Sequence, residues 1–264
     1  VTPGWFDRWR GTPAGTEHKF MIYYGHMDDE KMEALSRFDL VVVEPLHWTA
    51  DRVYRLKQAG TKVIGYLSVM EWAAWNVPRG DALRSADYYR PAREKLRLPQ
   101  WDAYLMDIRE KHYQSVLFDE LEERIVAKGM DGAFLDTVGD IEERVESPVD
   151  RAEMMHAYLA WLSEVRGRHT TLWTMQNRGF ELIGNASRFV NAFLWEDWRA
   201  EWTSDPWGKR QLTMLQSLRK NGLELFAVSG RPGTQNDRKA ARSHGMTYLS
   251  RHDDYSVWVE AHLE

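Results

Sequence analysis

Two hydrophobic rhythms alternate along this chain. Short, near-continuous apolar runs recur at 19–24 (KFMIYY), 38–44 (FDLVVVE), 62–68 (KVIGYLS), 131–136 (DGAFLD), 170–176 (TTLWTMQ), 189–195 (FVNAFLW), 223–228 (LELFAV) and 246–250 (MTYLS). Runs of this length and density are the mark of parallel strands buried on both faces. Between them, apolar residues fall three and four apart, predicting helices at 28–37, 49–59, 112–128, 149–166, 180–186, 208–220, 237–244 and 253–263. The helix ends carry matching punctuation. Asp28 and Thr49 stand where N-caps belong, and Gly60, Gly129, Gly167 and the Asn221-Gly222 pair stand where helices stop.

Eight strand–helix units without a linker predict an α/β fold: one (β/α)8 TIM barrel spanning 19–264, behind an N-terminal arm at 1–18 rich in Gly, Pro, Thr and charge. A doubly wound open sheet is the alternative, and the count of eight favours the closed barrel. The rhythm breaks once. Residues 69–111 hold Trp72, Trp75, Tyr88, Tyr89, Trp101 and Tyr104, three prolines and no sustained period. A connection this long is usually functional, so it reads as an elaborated, aromatic-rich β3–α3 loop over the barrel mouth.

Composition narrows the classes. A net charge of −5 argues against a general nucleic-acid surface. The absence of cysteine removes thiol catalysis, disulfides and cysteine-ligated metal. No apolar run approaches the ~20 residues that cross a bilayer, and no signal peptide is evident. The start at Val1 reads as that of a trimmed or mature chain. Thirteen tryptophans are more than a core of this size calls for. Trp5, Trp9, Trp48, Trp72, Trp75, Trp101, Trp198, Trp202 and Trp207 fall in turn-like or polar stretches, where they either fill the core or offer a stacking surface.

In such barrels chemistry sits at the C-terminal ends of the strands. The polar residues there are Tyr24, Glu44, Ser68 with Glu71 behind it, Asp136 with Asp140, Gln176 with Asn177, and Glu196 with Asp197. A carboxylate ending an apolar strand borders a low-dielectric core that tunes its pKa. Asp136 and Glu196 each follow an apolar run directly and have no helix-surface role, which makes them the candidate catalytic pair. Two carboxylates flanking one bond are what glycoside hydrolysis needs. Asp131, in an Asp-Gly at a strand start, reads as turn chemistry. His26 and His47 lie near the mouth as possible contacts. Ser229 to Gly233 after the seventh strand is either a phosphate seat or a simple turn. Nucleotide loops, a Gly-x-Ser-x-Gly elbow and His-Glu-x-x-His are all missing, so neither a cofactor nor a metal is expected.

Several stretches resemble one family. Lys62 to Glu71 (KVIGYLSVME) is similar to the YLS-x-G-E strand of glycoside hydrolase family 114, the endo-α-1,4-polygalactosaminidase-like barrels. Met106 to Arg109, Lys128 to Asp136 and the Gln176-Asn177 pair resemble it too, and the match is strongest against the family pattern GFDGVFLDNVD at 129–136. The resemblance implies a secreted or cell-surface glycosidase cutting within α-1,4-linked, partly deacetylated galactosamine polymers of the galactosaminogalactan or Pel type. It implies Asp136 as nucleophile and Glu196 as acid/base. It puts Tyr24, Glu71, Asp107 and Asn177 at substrate-binding or supporting positions, with Glu44, Trp72, Asp140, Gln176, Asp197 and Trp198 as further candidates for the cleft. Met70 replaces a family glycine, and Asp140 is displaced by one residue. The expected partner is a cationic polysaccharide, with no nucleic acid and no membrane span, bound by a monomer. The alternative is a carbohydrate-binding barrel that has lost turnover.

Overall fold

The computed structural model describes residues 18–251 and 254–259. Eight parallel strands form one sheet in sequence order: β1 (Phe20–Tyr23), β2 (Leu40–Val43), β3 (Lys62–Ser68), β4 (Gly132–Asp136), β5 (Trp173–Asn177), β6 (Ala192–Trp195), β7 (Glu224–Val228) and β8 (Met246–Leu249). Helices α1 (Asp29–Leu35), α2 (Ala50–Gln58), α3 (Lys111–Leu121), α4 (Pro148–Arg168), α5 (Ile183–Ala186), α6 (Pro206–Lys220) and α7 (Gln235–Ser243) fall between them, the (β/α)8 arrangement. β1 and β8 meet at the seam. Arg251, buried just past β8, donates from Nη1 to the Ile22 carbonyl at 2.5 Å and from Nη2 to that of Val257 at 2.6 Å, tying the seam at its upper end.

Strand periodicity explains the apolar runs. Phe20, Ile22, Leu40, Val42, Ile64, Phe134, Trp173, Met175, Leu194, Phe226, Val228 and Leu249 form one buried cluster, the barrel interior. Their sequence neighbours Met21, Val41, Val63, Ala133, Leu135, Phe193, Leu225 and Ala227 belong to the second cluster, packed under the helices. Both faces are dry, so the alternation of a half-exposed strand is absent. Close packing also demands one glycine: a Cβ on Gly132 would stand 2.0 Å from the Trp173 carbonyl oxygen of the paired strand.

Side chains close the helix starts. Asp28 accepts from the Lys31 amide at 2.9 Å, Ser147 and Asp205 cap α4 and α6, and Thr234 and Asp237 form a reciprocal box at α7. The helix expected at 112–128 splits into α3 and a wider π turn over Glu122–Val126. Ile125, from that turn, and Met130 pack where a Cβ on Gly65 would otherwise sit.

The connection after β3 is more ordered than its lack of period implies. Glu71–Ala73 pairs antiparallel with Ala103–Leu105, and Arg97–Leu98 pairs with the other edge of that middle strand. Trp72 stacks on Tyr104 across the ladder, ring centroids 6.1 Å apart and 14° from parallel. Cross-strand aromatic contacts of this kind stabilise a small sheet with no helical or barrel periodicity to reveal it. The expected last helix differs: 254–259 hold a turn, closed by Val257 N–H to Asp254 O at 2.9 Å, and no helix. The rest of that helix and all of the arm except His18 lie outside the described residues, as do Trp5 and Trp9.

Candidate active site

Each barrel strand continues past its last inward apolar residue, and two positions further on a polar or glycine residue faces the mouth. Ile22 leads to Tyr24, Val42 to Glu44, Ile64 to Tyr66 and Ser68, Phe134 to Asp136, and Met175 to Asn177. Leu194 leads to Glu196, Val228 to Gly230, and Leu249 to Arg251. All of these line one groove of about 910 Å³. The period of two that fills the core therefore also builds the site.

Asn177 sits at its centre. Its Nδ2 donates to Asp136 Oδ1 at 2.7 Å and to Glu196 Oε2 at 2.8 Å. Two oxygens held by one nitrogen at those distances are no more than about 5.5 Å apart, a ceiling that admits the ~5–5.5 Å of a nucleophile–acid/base pair and falls short of the ~6.5–9.5 Å that leaves room for a water between them. Tyr255 Oη donates to the other Glu196 oxygen at 2.8 Å.

Burial pushes both carboxyls above the usual range, and the surroundings separate them. Asp136 is held back by hydrogen bonds from Asn177, the Thr137 amide and Tyr66, and by the Arg178 charge. Glu196 is raised by burial and then by the Asp136 charge, with Asp197 adding to it and Asn177 and Tyr255 opposing. The anion is better stabilised on Asp136, and the proton is better kept on Glu196. Burial lifts the phenols of Tyr24, Tyr66 and Tyr255 well above their ordinary value, with Asp136 adding to all three, Glu196 to Tyr24 and Tyr255, and Glu44 to Tyr66, so they remain donors.

A second acidic pair flanks the first. Glu71 is pushed up to about 9 by burial, by its hydrogen bond to Asp140 and by the charges of Asp140 and Asp136. Asp140 is raised by burial while the bond from Glu71 and the Arg144 charge oppose this. Glu44, buried and accepting from the Leu46 amide at 3.0 Å, is pushed up to about 7, chiefly by burial.

Strain collects at this rim. Thr137, Arg178 and Asp197 immediately follow Asp136, Asn177 and Glu196, and all three adopt positive φ, at 64°, 56° and 58°. Such left-handed turns cost on the order of 1–3 kcal/mol each and cluster at functional sites. Local contacts hold them. Thr137 Oγ1 accepts from the Met70 amide at 2.8 Å and lies 3.2 Å from Ser68 Oγ. Arg178 pairs with Glu143 at 2.6 Å and lies 3.7 Å from Asp197. Gly230 makes room for Asp197, whose Oδ1 would be 1.6 Å from an added Cβ.

Of the residues singled out from sequence, Tyr24, Glu44, Glu71, Asp136, Asp140, Asn177, Glu196 and Asp197 line the groove. Four do not. Gln176 is fully buried and points outward, accepting from Tyr158 Oη at 2.9 Å, because it has the opposite strand parity to Asn177. Trp198 is core: it packs edge-on to Trp195 at 5.1 Å and donates to the Asp237 carbonyl at 3.0 Å. Asp107 is buried against Arg109, 2.8 Å away. Trp72 turns into the inserted sheet, its Nε1 on the Asn76 carbonyl at 3.0 Å.

His47 lines the groove, and His26 is exposed outside it. Ser229 to Gly233 is a bend whose Arg231 is engaged by Glu201 at 2.8 Å and Asp237 at 3.4 Å. Asp131 accepts from the Val63 amide at 3.0 Å at the strand start. Sequence reading missed Tyr66, Arg178, Arg251 and Tyr255. Strand parity would have found Tyr66; Tyr255 sits in the stretch read as the last helix and carried no signal. Among the described residues no group of three or more His, Cys, Asp or Glu could hold a metal ion, and no helix is long and apolar enough to cross a membrane.

The sequence model described as Glycoside-hydrolase family GH114 matches residues 6–260. Curated protein sequences give no match. Among solved structures, the chain is similar to the glycoside hydrolase domain of PelA from Pseudomonas aeruginosa, with a TM-score of 0.70, 23% identity, and 88% of this chain and 93% of that one covered. It is also similar to Aspergillus fumigatus Ega3 in complex with galactosamine, with a TM-score of 0.68, 15% identity and 94% of each chain covered. The α-galactosidase TtGalA from Thermus thermophilus aligns at a TM-score of 0.56 and 13% identity over 95% of this chain and 61% of that one. At these identities the likeness is one of fold.

Proposed function

Because the chain belongs to glycoside-hydrolase family GH114 and is a glycosidase, we propose that it cleaves within α-1,4-linked, at least partly deacetylated galactosamine polymers of the galactosaminogalactan or Pel type, with retention at the anomeric carbon. The observation that carries the reading is Asn177 Nδ2 bonded at once to Asp136 and Glu196. That spacing suits direct attack by one carboxylate. Asp136 attacks the anomeric carbon while Glu196 gives its proton to the departing glycosidic oxygen, so the C–O bond breaks as the ester to Asp136 forms. Glu196, now ionised, takes a proton from water. The water oxygen attacks the same carbon, releases Asp136 and restores the proton on Glu196.

The substrate class draws support from the galactosamine in the Ega3 structure and from the groove's acceptors. Glu71, Asp140, Glu143 and Asp197 surround the catalytic pair with carboxyl oxygens that can accept from an ammonium, a setting that suits an ammonium-bearing chain. A polymer of this kind lies outside the cell, so the protein is inferred to act extracellularly or at a cell surface, as a monomer, with 19–264 as its catalytic domain.

The test is hydrolysis of deacetylated α-1,4-galactosaminan by wild type, Asp136→Asn and Glu196→Gln, with NMR of the first product anomer. Expected are oligosaccharides of retained configuration from wild type and rates lower by at least ~10³ for either variant. Near wild-type rates in both variants overturn the pair. Retention of polymer without release of oligosaccharides at any pH would favour the binding-only alternative.

A further inference from the structure

Trp48, Trp161, Trp173, Trp195 and Trp198 are core residues, all at most 3% exposed, and Trp207 is 36% exposed. Trp75 and Trp101 are 55% and 64% exposed, and both line the groove that holds Asp136 and Glu196. Their proximity follows from the inserted sheet. Ala73 pairs with Ala103, and the Ala74 amide donates to the Asp102 carbonyl at 3.1 Å, so the two tryptophans flank the same end of one ladder.

The base beneath them is tied by local hydrogen bonds. Asn76 caps the short helix Val77–Ala82, Trp72 Nε1 bonds the Asn76 carbonyl at 3.0 Å, and Asp102 turns the chain through a left-handed conformation. Two large indoles left half in water at the rim of a catalytic groove have the form of a stacking platform rather than of unfinished core.

We propose that Trp75 and Trp101 form a distal subsite that stacks on amino-sugar rings of the same polymer, beyond the residue being cleaved, and that the insertion after β3 sets the preference for long chains. The inference rests on the substrate class proposed above. The ring faces present C–H groups to the indoles, and a ring ammonium over an indole face adds a cation–π attraction. Both indoles line the same groove as the catalytic carboxyls. Rings held there contribute to binding without touching the reacting atoms.

The experiment is calorimetric titration of Asp136→Asn, expected to bind without turnover, with α-1,4-galactosamine di-, tetra- and hexasaccharides. The same titrations follow on Trp75→Ala, Trp101→Ala and the doubly Phe-substituted protein in that background. The readout is the ratio of hexasaccharide to disaccharide affinity. Each Ala substitution is expected to lower it roughly tenfold, while Phe at both positions retains most of it. A ratio unchanged by both Ala substitutions overturns the platform and leaves the substrate class standing. No binding of any oligosaccharide to Asp136→Asn overturns the substrate class, and the platform for that polymer with it. Both indoles are exposed, so folding, checked by thermal melting, is expected to be unaffected.

Discussion

Asn177 keeps two carboxylates within reach of each other without letting either escape into water. Its single nitrogen serves both, and charge-assisted hydrogen bonds are the strong ones. Removing it leaves two buried acids facing each other without their shared donor, held only from their outer sides by Tyr66, Thr137 and Tyr255. Asn177→Ala is expected to lower kcat by ~10²–10³ with a smaller change in KM. The pH profile gives an independent signature. Asp136 must be ionised, so activity falls as pH drops through its pKa; Glu196 must be protonated, so activity falls as pH rises through its own. Both pKa values lie above the ordinary range because of burial. Tyr255→Phe removes a donor to the ionised form of Glu196, so the alkaline limb should move to higher pH while the acid limb moves less. An unmoved alkaline limb in kcat/KM would sink the assignment of the proton to Glu196.

The strand ends carry the strain. Thr137 is β-branched and sits at φ 64°, a conformation that Asn tolerates far better, and the family pattern it resembles has Asn there. Its Oγ1 accepts the Met70 amide, which anchors the start of the inserted sheet to β4. Thr137→Val keeps the shape and loses the acceptor, leaving that amide unmet. Urea denaturation should show a loss of about 1–3 kcal/mol. Thr137→Asn relaxes the backbone and offers an acceptor, so it should unfold at equal or higher urea. If Val and Asn behave alike, the hydroxyl is not what holds the two elements together. Gly132→Ala is a harsher change, since the Trp173 carbonyl occupies the space for a Cβ and neither β4 nor β5 can move without opening the barrel.

For the molecule as a whole, gathering carboxyls at one mouth has a cost that depends on pH. Glu44 and Glu71 are held near 7 and 9 in the folded protein, against ordinary values of about 4.5. Raised carboxyl pKa values mean that the folded state holds protons which the unfolded chain gives up. Their contribution is fully present below about pH 4.5 and is lost as pH rises through about 7 and then about 9. The midpoint of thermal unfolding should therefore fall from pH 5 to pH 9, and Glu44→Gln should flatten the part below pH 8. A profile with the same slope in that variant would show that Glu44 is not titrating in this window.

The eight apolar runs, the spacing of the helices and the acids at the ends of β4 and β6 are all written locally. Burial on both faces and capping are properties of neighbours in the chain, so they can be read from it. Even the choice of Asn177 over Gln176 is local, because strand parity decides which of two adjacent amides faces the mouth. Other facts depend on residues far apart in sequence. That Asp136 and Glu196 share one nitrogen depends on the closure of β4, β5 and β6 into a curved wall. Trp198 beside Glu196 is core because α7 covers it, whereas Trp75 and Trp101, at the end of their ladder, are left exposed by the described elements around them. Arg251 and Tyr255 reach the seam and the acid/base from the end of the chain. Periodicity reports what a residue's own strand or helix does with it; which side chains then meet is decided by packing between elements, and no local pattern records that.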